Sequence, residues 1–174
     1  TDKKVNVKQG YVHPRMTARA VILDPALTVH TPEWIWLSTG VRSFDHAFET
    51  LGSLGSNDYY DGMAMNAVRL LSQGLPRVKA NGRDLEARQM CQMGAWCSMV
   101  SIVCGLPMGI SHAVGHALGG SFDVPHGYTS CVMAPFALEY NSVVNGERQK
   151  LISIAFGQPN RPAHELADEA IRGL

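Results

Sequence analysis

The sequence predicts an all-α fold that follows one short strand. From Thr31 onward, apolar residues recur at three- and four-residue intervals, which is the spacing of a helix with one buried face. Clusters rich in glycine, proline and asparagine separate these periodic segments and mark turns. The exception is Ala18–Asp24, an aliphatic run that Pro25 ends. Proline cannot continue a ladder, so this run is predicted to be a strand remnant at the edge of a sheet.

The first helix is predicted to begin with Thr31 as its N-cap and Pro32 at its first helical position. Its apolar positions are Val41, Phe44, Phe48 and Leu51. Asp58 is expected to open a second helix after a glycine-rich turn. Gly74-Leu75-Pro76 is predicted to close that helix, because glycine and proline are typical of helix ends.

Further helices follow along the rest of the chain. Asp84 is predicted to cap a third helix, which continues into an apolar region until Gly105-Leu106-Pro107 breaks it. A fourth helix is expected to begin near Ile110 or Ser111 and to precede a loop at 122–127. The remaining predicted helices are one from Tyr128 or Thr129 to Asn141 with a kink or restart at Pro135, then Glu147–Ala155 and Ala163–Leu174.

A run without charges contains the most informative residues. Thirty-four consecutive residues, from Gln89 to Phe122, include no Asp, Glu, Lys or Arg. Such a segment is predicted to be buried, and a buried imidazole needs a metal, a hydrogen-bond acceptor or a reacting ligand as its partner. His112 and His116 are four residues apart on one predicted helix face, and His126 follows on a loop. Their spacing indicates a metal site, a catalytic site or satisfied core histidines.

Composition narrows the classes of function. The chain has 15 basic and 15 acidic residues, so it shows no electrostatic footprint for nucleic acid. Charged residues make up 17% of the chain, which suggests that a partner chain or a missing domain covers part of the surface. The four cysteines form no CxxC pair, which favours a reducing, cytoplasmic location. Gly105 and Pro107 interrupt the apolar run, so a buried helix is preferred to a membrane span.

Several motifs, taken together, resemble one enzyme family. They are Asp24-Pro25-Ala26-Leu27-Thr28, Ser38-Thr39-Gly40, Asp45-His46-Ala47-Phe48-Glu49, Leu75-Pro76-Arg77, Ser111-His112-Ala113-Val114-Gly115-His116, Phe122-Asp123-Val124-Pro125-His126-Gly127 and Met133–Asn141. The set is similar to the iron-containing alcohol dehydrogenase family, and within it to the maleylacetate reductase branch. The resemblance covers the whole chain.

The resemblance implies the fold and the domain organisation. It implies the helical C-terminal domain of the dehydroquinate synthase-like fold, in which an N-terminal α/β domain binds NAD(P). Residues 1–30 would then be the end of that domain and a connector, and residues 31–174 an all-helical metal and substrate domain that is incomplete at its C-terminus. No Gly-rich turn follows the predicted strand. We therefore expect a fragment or truncated chain that is inactive in isolation, needs an N-terminal nucleotide-binding domain or chain, and belongs to a homodimer.

The resemblance also implies site residues. The three histidines that bind iron or zinc in metal-dependent members map onto His46, His112 and His126, and His116 maps near the nicotinamide ring. The usual aspartate, four residues before the first histidine, is replaced by Arg42. A guanidinium supplies only hydrogen-bond donors and cannot coordinate a cation. Asp45, next to His46 and about 100° away around the helix, is interpreted as a poor substitute.

This replacement favours a reductase that needs no metal. Arg42 is predicted to bind a substrate carboxylate through paired hydrogen bonds, and maleylacetate is a dicarboxylate. Hydride from NAD(P)H would reduce the substrate, while His116, or His112 as second choice, supplies the proton or stabilises an oxyanion. Two alternatives remain open: a metal-dependent alcohol dehydrogenase, and a non-catalytic helical module that completes a site by association.

Overall fold

Every regular element in the described part of the chain is a helix, which confirms the predicted all-α fold. A computed structural model describes His13 and residues 18–174. Residues 1–12 and 14–17 of the predicted 1–30 segment therefore lie outside the described residues. After a 3₁₀ turn at Leu27–His30 come seven α-helices. They are α1 Glu33–Gly52, α2 Asp58–Ala80, α3 Leu85–Ser98, α4 Val100–Val103, α5 Ile110–Ser121, α6 His126–Ala155 and α7 Ala163–Arg172.

The predicted strand at Ala18–Asp24 is wrong. This segment has neither strand nor helix hydrogen bonding, and the side chain of Ile22 is 87% exposed. A strand needs a neighbour to pair with, and the described residues contain no second strand. Aliphatic content alone therefore did not make this segment a strand.

Two predicted helix boundaries, the start of α1 and the end of α2, also differ from the structure. The helix α1 begins at Glu33 after Pro32 as N-cap, and no side chain caps it, so Thr31 does not have the predicted role. The helix α2 continues through Pro76 to Ala80. Leu75 and Val78, on either side of this proline, are both buried, and their packing keeps the last turns helical despite the missing N–H. By contrast, Asp84 does cap α3, because its side chain accepts a bond of 3.0 Å from the Ala87 amide.

The helix α6 is longer than predicted. It begins at His126, and Pro135 lies inside it, whereas the residue with non-helical dihedral angles is Asn145. The Asn145 amide donates 2.7 Å to the carbonyl of Gly52 at the end of α1. The break between the two predicted helices therefore lies at Asn145, whose side chain binds α1, and not at Pro135.

The hydrophobic core surrounds one face of α1. Phe44 and Phe48 stack with ring centroids 5.4 Å apart, and Phe156 lies 5.9 Å from Phe44. Fully buried aliphatic residues from α1, α2 and α6 complete this core, namely Leu51, Leu71, Leu75 and Ile152. Because α1 packs against α2, α3 and α6, its apolar face is fixed in the core, and its second face is left to position polar residues.

The start of α6 lies very close to α1. A side chain at Gly127 would place its Cβ 2.5 Å from Ser38 Oγ and 2.8 Å from the Ser38 carbonyl carbon. Real Cβ atoms do not approach backbone this closely, so the position requires glycine. This contact holds the first turn of α6, with His126, against α1.

The charge-free run is only partly buried, so the prediction of full burial is wrong. Exposed apolar residues in it include Met93, Trp96, Val103, Ile110 and Phe122. The run alternates between core contacts and exposed apolar surface because α3 and α5 each pack with one side only. Among the described residues, no helix combines the length and the apolar character that crossing a bilayer requires.

Candidate functional site

The candidate site forms where the polar face of α1 meets the start of α5 and the first turns of α6. Arg42, Asp45 and Glu49 are three and four residues apart, which places them on the same side of α1. From α5 comes His112, and from α6 comes Ser130. Because the opposite side of α1 is fixed in the core, these side chains are held on a rigid element.

The carboxylate of Asp45 is at the centre of a buried network. Its side chain is 1% exposed, and Oδ2 accepts hydrogen bonds from Ser111 Oγ at 2.9 Å and Ser130 Oγ at 2.6 Å. Arg42 Nη1 lies 3.5 Å from the same oxygen and donates to Ser130 Oγ at 2.8 Å. Burial raises the pKa of Asp45, while His112 and the two serines oppose that shift. Oδ1 of Asp45 and Nε of Arg42 are buried without a hydrogen-bond partner.

Glu49 caps the helix α5 from outside. Its two carboxylate oxygens accept bonds of 2.8 Å from the amides of Gly109 and Ser111, whereas α5 has no capping side chain of its own. A negative charge at a helix N-terminus is favourable because it meets unpaired N–H groups and the helix dipole. Burial alone would raise the pKa of Glu49, but His112 and the two amides outweigh burial and lower it.

His112 lies between the two carboxylates. Its Nδ1 is 2.6 Å from Glu49 Oε2 and 3.4 Å from Asp45 Oδ2. The ring N–H direction is not aligned with either oxygen, so neither nitrogen of His112 meets hydrogen-bond geometry. The imidazole of His46 lies beside it, with ring centroids 4.9 Å apart. Two imidazoles and two carboxylates are thus in direct contact.

The other two histidines extend this cluster towards the surface. The rings of His116 and His126 are 6.3 Å apart and both residues are exposed. His126 is close enough to His46 to help lower its pKa. The structure therefore places the four histidines in one row made of two ring pairs, with His112 and His46 at the buried end and His126 and His116 at the exposed end.

Two acidic residues of the site were missed or misread in the sequence. Asp45 does not point away from the histidines, because Arg42, Asp45 and His112 are in contact. The interpretation of Asp45 as a poor substitute for the metal-binding aspartate gave no indication that its carboxylate lies among Arg42 and His112. Glu49 had no predicted role, although its spacing of four residues from Asp45 was a usable signal.

The predicted metal ligands do not fit a metal ion well. Within the described residues, the group whose ligand atoms converge within 4.8 Å is Asp45, Glu49 and His112, rather than the three histidines of the resemblance. That group is closed on itself, since His112 Nδ1 contacts Glu49 directly. The permanent charge of Arg42 lies 3.5 Å from Asp45 and would repel a divalent cation.

The acid stability of the chain should depend on His46. Burial, followed by the charges of His112, Arg42 and His126, lowers the pKa of His46 to about 3 from 6.5. Between these values the unfolded chain binds more protons, so stability is present above pH 6.5 and is lost as the pH falls. We expect His46→Gln to flatten this dependence, which reaches about 1.4 kcal/mol per pH unit for one group.

Urea unfolding from pH 7 to pH 4.5 measures this effect as the slope of the free energy of unfolding against pH. The matched control is His30→Gln, since His30 is exposed and its replacement should leave the slope unchanged. Equal slopes in the native chain and in His46→Gln would show that His46 takes up a proton as readily in the folded state as in the unfolded one.

Comparison with known proteins agrees with this fold. The model of the Fe-containing alcohol dehydrogenase family, C-terminal, matches residues 36–174. The maleylacetate reductase of Pseudomonas sp. (strain P51) is 37% identical over 129 residues, which are 74% of this chain and 36% of that protein. The NAD-dependent methanol dehydrogenase of Bacillus methanolicus is 29% identical over 158 residues, 91% of this chain and 41% of that protein.

A solved structure shows the same arrangement of helices. The crystal structure of maleylacetate reductase from Rhizobium sp. strain MTP-10005 aligns with a TM-score of 0.79 at 26% identity, covering 86% of this chain and 42% of that chain. The chain thus spans less than half the length of the relatives it matches.

Proposed function

The chain belongs to the iron-containing alcohol dehydrogenase family, and from that premise we propose that it is the helical half of an NAD(P)-dependent oxidoreductase. We propose further that its substrate carries carboxylates, as maleylacetate does, and that the reaction needs no metal ion. Support for an oxidoreductase comes from the matched relatives, among them maleylacetate reductases. The proposals on substrate and metal rest on the side chains of the site.

The observation that carries the metal-free proposal is the buried pair of Arg42 and Asp45. In the resemblance described above, the position of Arg42 is that of a metal-binding aspartate. Here it carries a guanidinium, which contacts Asp45 at 3.5 Å and Ser130 at 2.8 Å. A permanent cation held in a buried network supplies positive charge without an ion. In this proposal it takes over the electrostatic part of the metal's task.

The carboxylate preference follows from the same residue. Nη1 of Arg42 is engaged by Ser130 and Asp45, while the buried Nε–H has no acceptor. Guanidinium groups bind carboxylates through several donors at once, so this unused donor is suited to an anionic substrate. Asp45 balances part of the charge, which limits Arg42 to an orienting role rather than strong binding.

The histidine row would supply the proton for the reaction. The nicotinamide cofactor, when bound, supplies the hydride, and the described residues contain no strand that could form a dinucleotide-binding unit. In the proposed reaction His116 or His112 donates a proton to the reduced substrate or stabilises a developing oxyanion. His116 is at the exposed end of the row and His112 at the buried end. A nucleotide-binding domain or chain, and a second copy in a homodimer, are the proposed partners.

A second candidate is a metal-dependent alcohol dehydrogenase. Asp45, Glu49 and His112 are the observation in its favour, because two carboxylates and one imidazole lie within 4.8 Å; the direct contact of His112 with Glu49 would have to open to admit the ion. A third candidate, a non-catalytic module that completes a site by association, is motivated by the lack of a dinucleotide-binding unit among the described residues. The three candidates differ in metal content and in turnover, which can be measured separately.

Metal analysis of the purified chain and of the complete protein tests the proposal. We expect iron and zinc well below one ion per chain, and nicotinamide-dependent reduction of maleylacetate by the complete protein that survives dialysis against a chelator. Arg42→Lys should reduce this turnover, since lysine lacks the paired donors. Stoichiometric metal that is required for turnover would support the metal-dependent candidate, and absence of any turnover in the complete protein would support the module.

A further inference from the structure

One contact of the site has not been used by the proposed reaction, namely that between Glu49 and His112. Nδ1 of His112 lies 2.6 Å from Glu49 Oε2, the separation of a charge-assisted hydrogen bond. The ring N–H is not aligned with this oxygen in the structure, so the pair requires the imidazole to turn about its Cβ–Cγ bond. The side chains of both residues are buried, with exposures of 8% and 10%. This arrangement is a carboxylate–histidine pair, in which the carboxylate decides which ring nitrogen carries the proton.

We propose that Glu49 is the positioning residue of the site, and that it holds His112 with the proton on Nδ1 and the lone pair of Nε2 directed to the reacting group. This proposal rests on the proposed function, because it specifies the state of one of the two candidate proton donors. In the cationic form, His112 would give up the Nε2 proton and retain the Nδ1 proton on the side of Glu49.

Glu49 is better placed for this role than Asp45. Oδ2 of Asp45 is 3.4 Å from His112 Nδ1 and already accepts hydrogen bonds from two serines. Glu49 Oε2 is closer at 2.6 Å. Its competing partner is the Gly109 amide at 2.8 Å, and a carboxylate oxygen can accept two bonds.

The capping contacts make this orientation rigid. Glu49 binds the amides of Gly109 and Ser111, which are on the same turn of α5 that carries His112. A Cβ at Gly109 would lie 2.9 Å from Glu49 Oε1, so the carboxylate is also enclosed sterically. The distance from the carboxylate to the imidazole is therefore fixed by one short segment of chain.

The other nitrogen of the ring is left for a ligand. Nε2 of His112 is buried and has no hydrogen-bond partner, although buried polar atoms nearly always have one. It is on the side of the ring away from Nδ1 and the two carboxylates. An unpartnered nitrogen beside a carboxylate-anchored one is the arrangement in which His acts as a proton carrier.

Nitrogen NMR of the imidazole rings in the chain itself tests the proposal without substrate or cofactor. In the native chain at neutral pH, the two-bond ¹⁵N–¹H correlations of His112 should show the Nδ1–H tautomer. In Glu49→Gln the carboxamide can donate to Nδ1, so we expect the population to shift to the Nε2–H tautomer. Glu147→Gln is the matched control, since the Glu147 side chain is 88% exposed and its replacement should leave His112 unchanged.

Three results would overturn the proposal. The first is an Nε2–H tautomer of His112 in the native chain, a measurement that remains valid if Glu49→Gln does not fold. The second is a folded Glu49→Gln variant in which His112 keeps its native signals. The third is a tautomer shift in Asp45→Asn but not in Glu49→Gln, which would assign the positioning role to Asp45.

Kinetics of the complete protein separate this proposal from the proposed function. Glu49→Gln should lower kcat by about 10- to 100-fold, the range observed when the partner that orients a metal-bound histidine is removed, while KM stays nearly constant. A tautomer shift without loss of kcat would retain Glu49 as the positioning residue and remove His112 from the reaction. A tautomer that does not shift would reject the present proposal whatever the activity of the protein.

Discussion

Asp45→Ala is expected to lower the free energy of unfolding by about 3–5 kcal/mol, the range observed when one member of a buried ion pair is removed. Arg42 would keep its charge at 7% exposure without the carboxylate that now lies 3.5 Å away. Ser111 and Ser130 would also lose the oxygen that accepts their hydroxyl protons. Chemical denaturation, followed by far-ultraviolet circular dichroism, measures the change.

A double-mutant cycle shows whether the loss belongs to the pair. Arg42→Met alone leaves Asp45 buried without its cation, whereas Arg42→Met combined with Asp45→Leu removes both charges. We expect the double variant to be more stable than the sum of the two single losses implies. Glu147→Ala is the control, since its ion pair with Lys150 is exposed and should contribute less than about 1 kcal/mol. Additive losses around the cycle would mean that the two side chains do not interact.

Phe44→Ala should destabilise the chain by about 3–5 kcal/mol, because it leaves a cavity where a buried ring stood. Phe44 is 1% exposed and contacts both Phe48 and Phe156. Since these three rings join α1 to the segment after α6, the cavity cannot close without moving the polar face of α1. The midpoint and slope of urea unfolding measure the effect.

The control for this change is Phe136→Ala on the surface of α6. Phe136 is 62% exposed, so its removal should alter the stability of the chain by less than about 0.5 kcal/mol. If the two variants lost similar stability, the three-ring cluster around Phe44 would not be the centre of the core.

Helices were predictable here because their signals are local. The cap at Asp84 and the apolar spacing of Phe44, Phe48 and Leu51 depend on neighbours three or four residues away. The failures arose where distant contacts decide the structure. Pro76 stays inside α2 because its neighbours are buried, and Ile22 is not in a strand because nothing in the described residues pairs with it.

In the candidate site too, residues with local signals were predictable and residues defined by distant contacts were not. His112, His116 and His126 were recognisable from their motifs. Asp45 and Glu49 were not, because their meaning depends on how α5 approaches α1. Spacing places Arg42, Asp45 and Glu49 on one side of α1, but it does not show that the amides of Gly109 and Ser111 meet Glu49, over a separation of 60 or more residues. The charged side chains of α1 form a network only once α5 and α6 pack against them.

The pairing of Arg42 with Asp45 also restricts how this site can change through mutation. Arg42→Asp, the replacement that would restore the usual metal-binding carboxylate, would create three acidic side chains on one face of α1, with no cation on that face to balance them. Like charges in such a site repel one another strongly, so this variant would lose stability before it gained a ligand. A change from this site to a metal site, or in the opposite direction, therefore has to alter positions 42 and 45 together. A chain that changed only one of the two positions would be less stable than either end point.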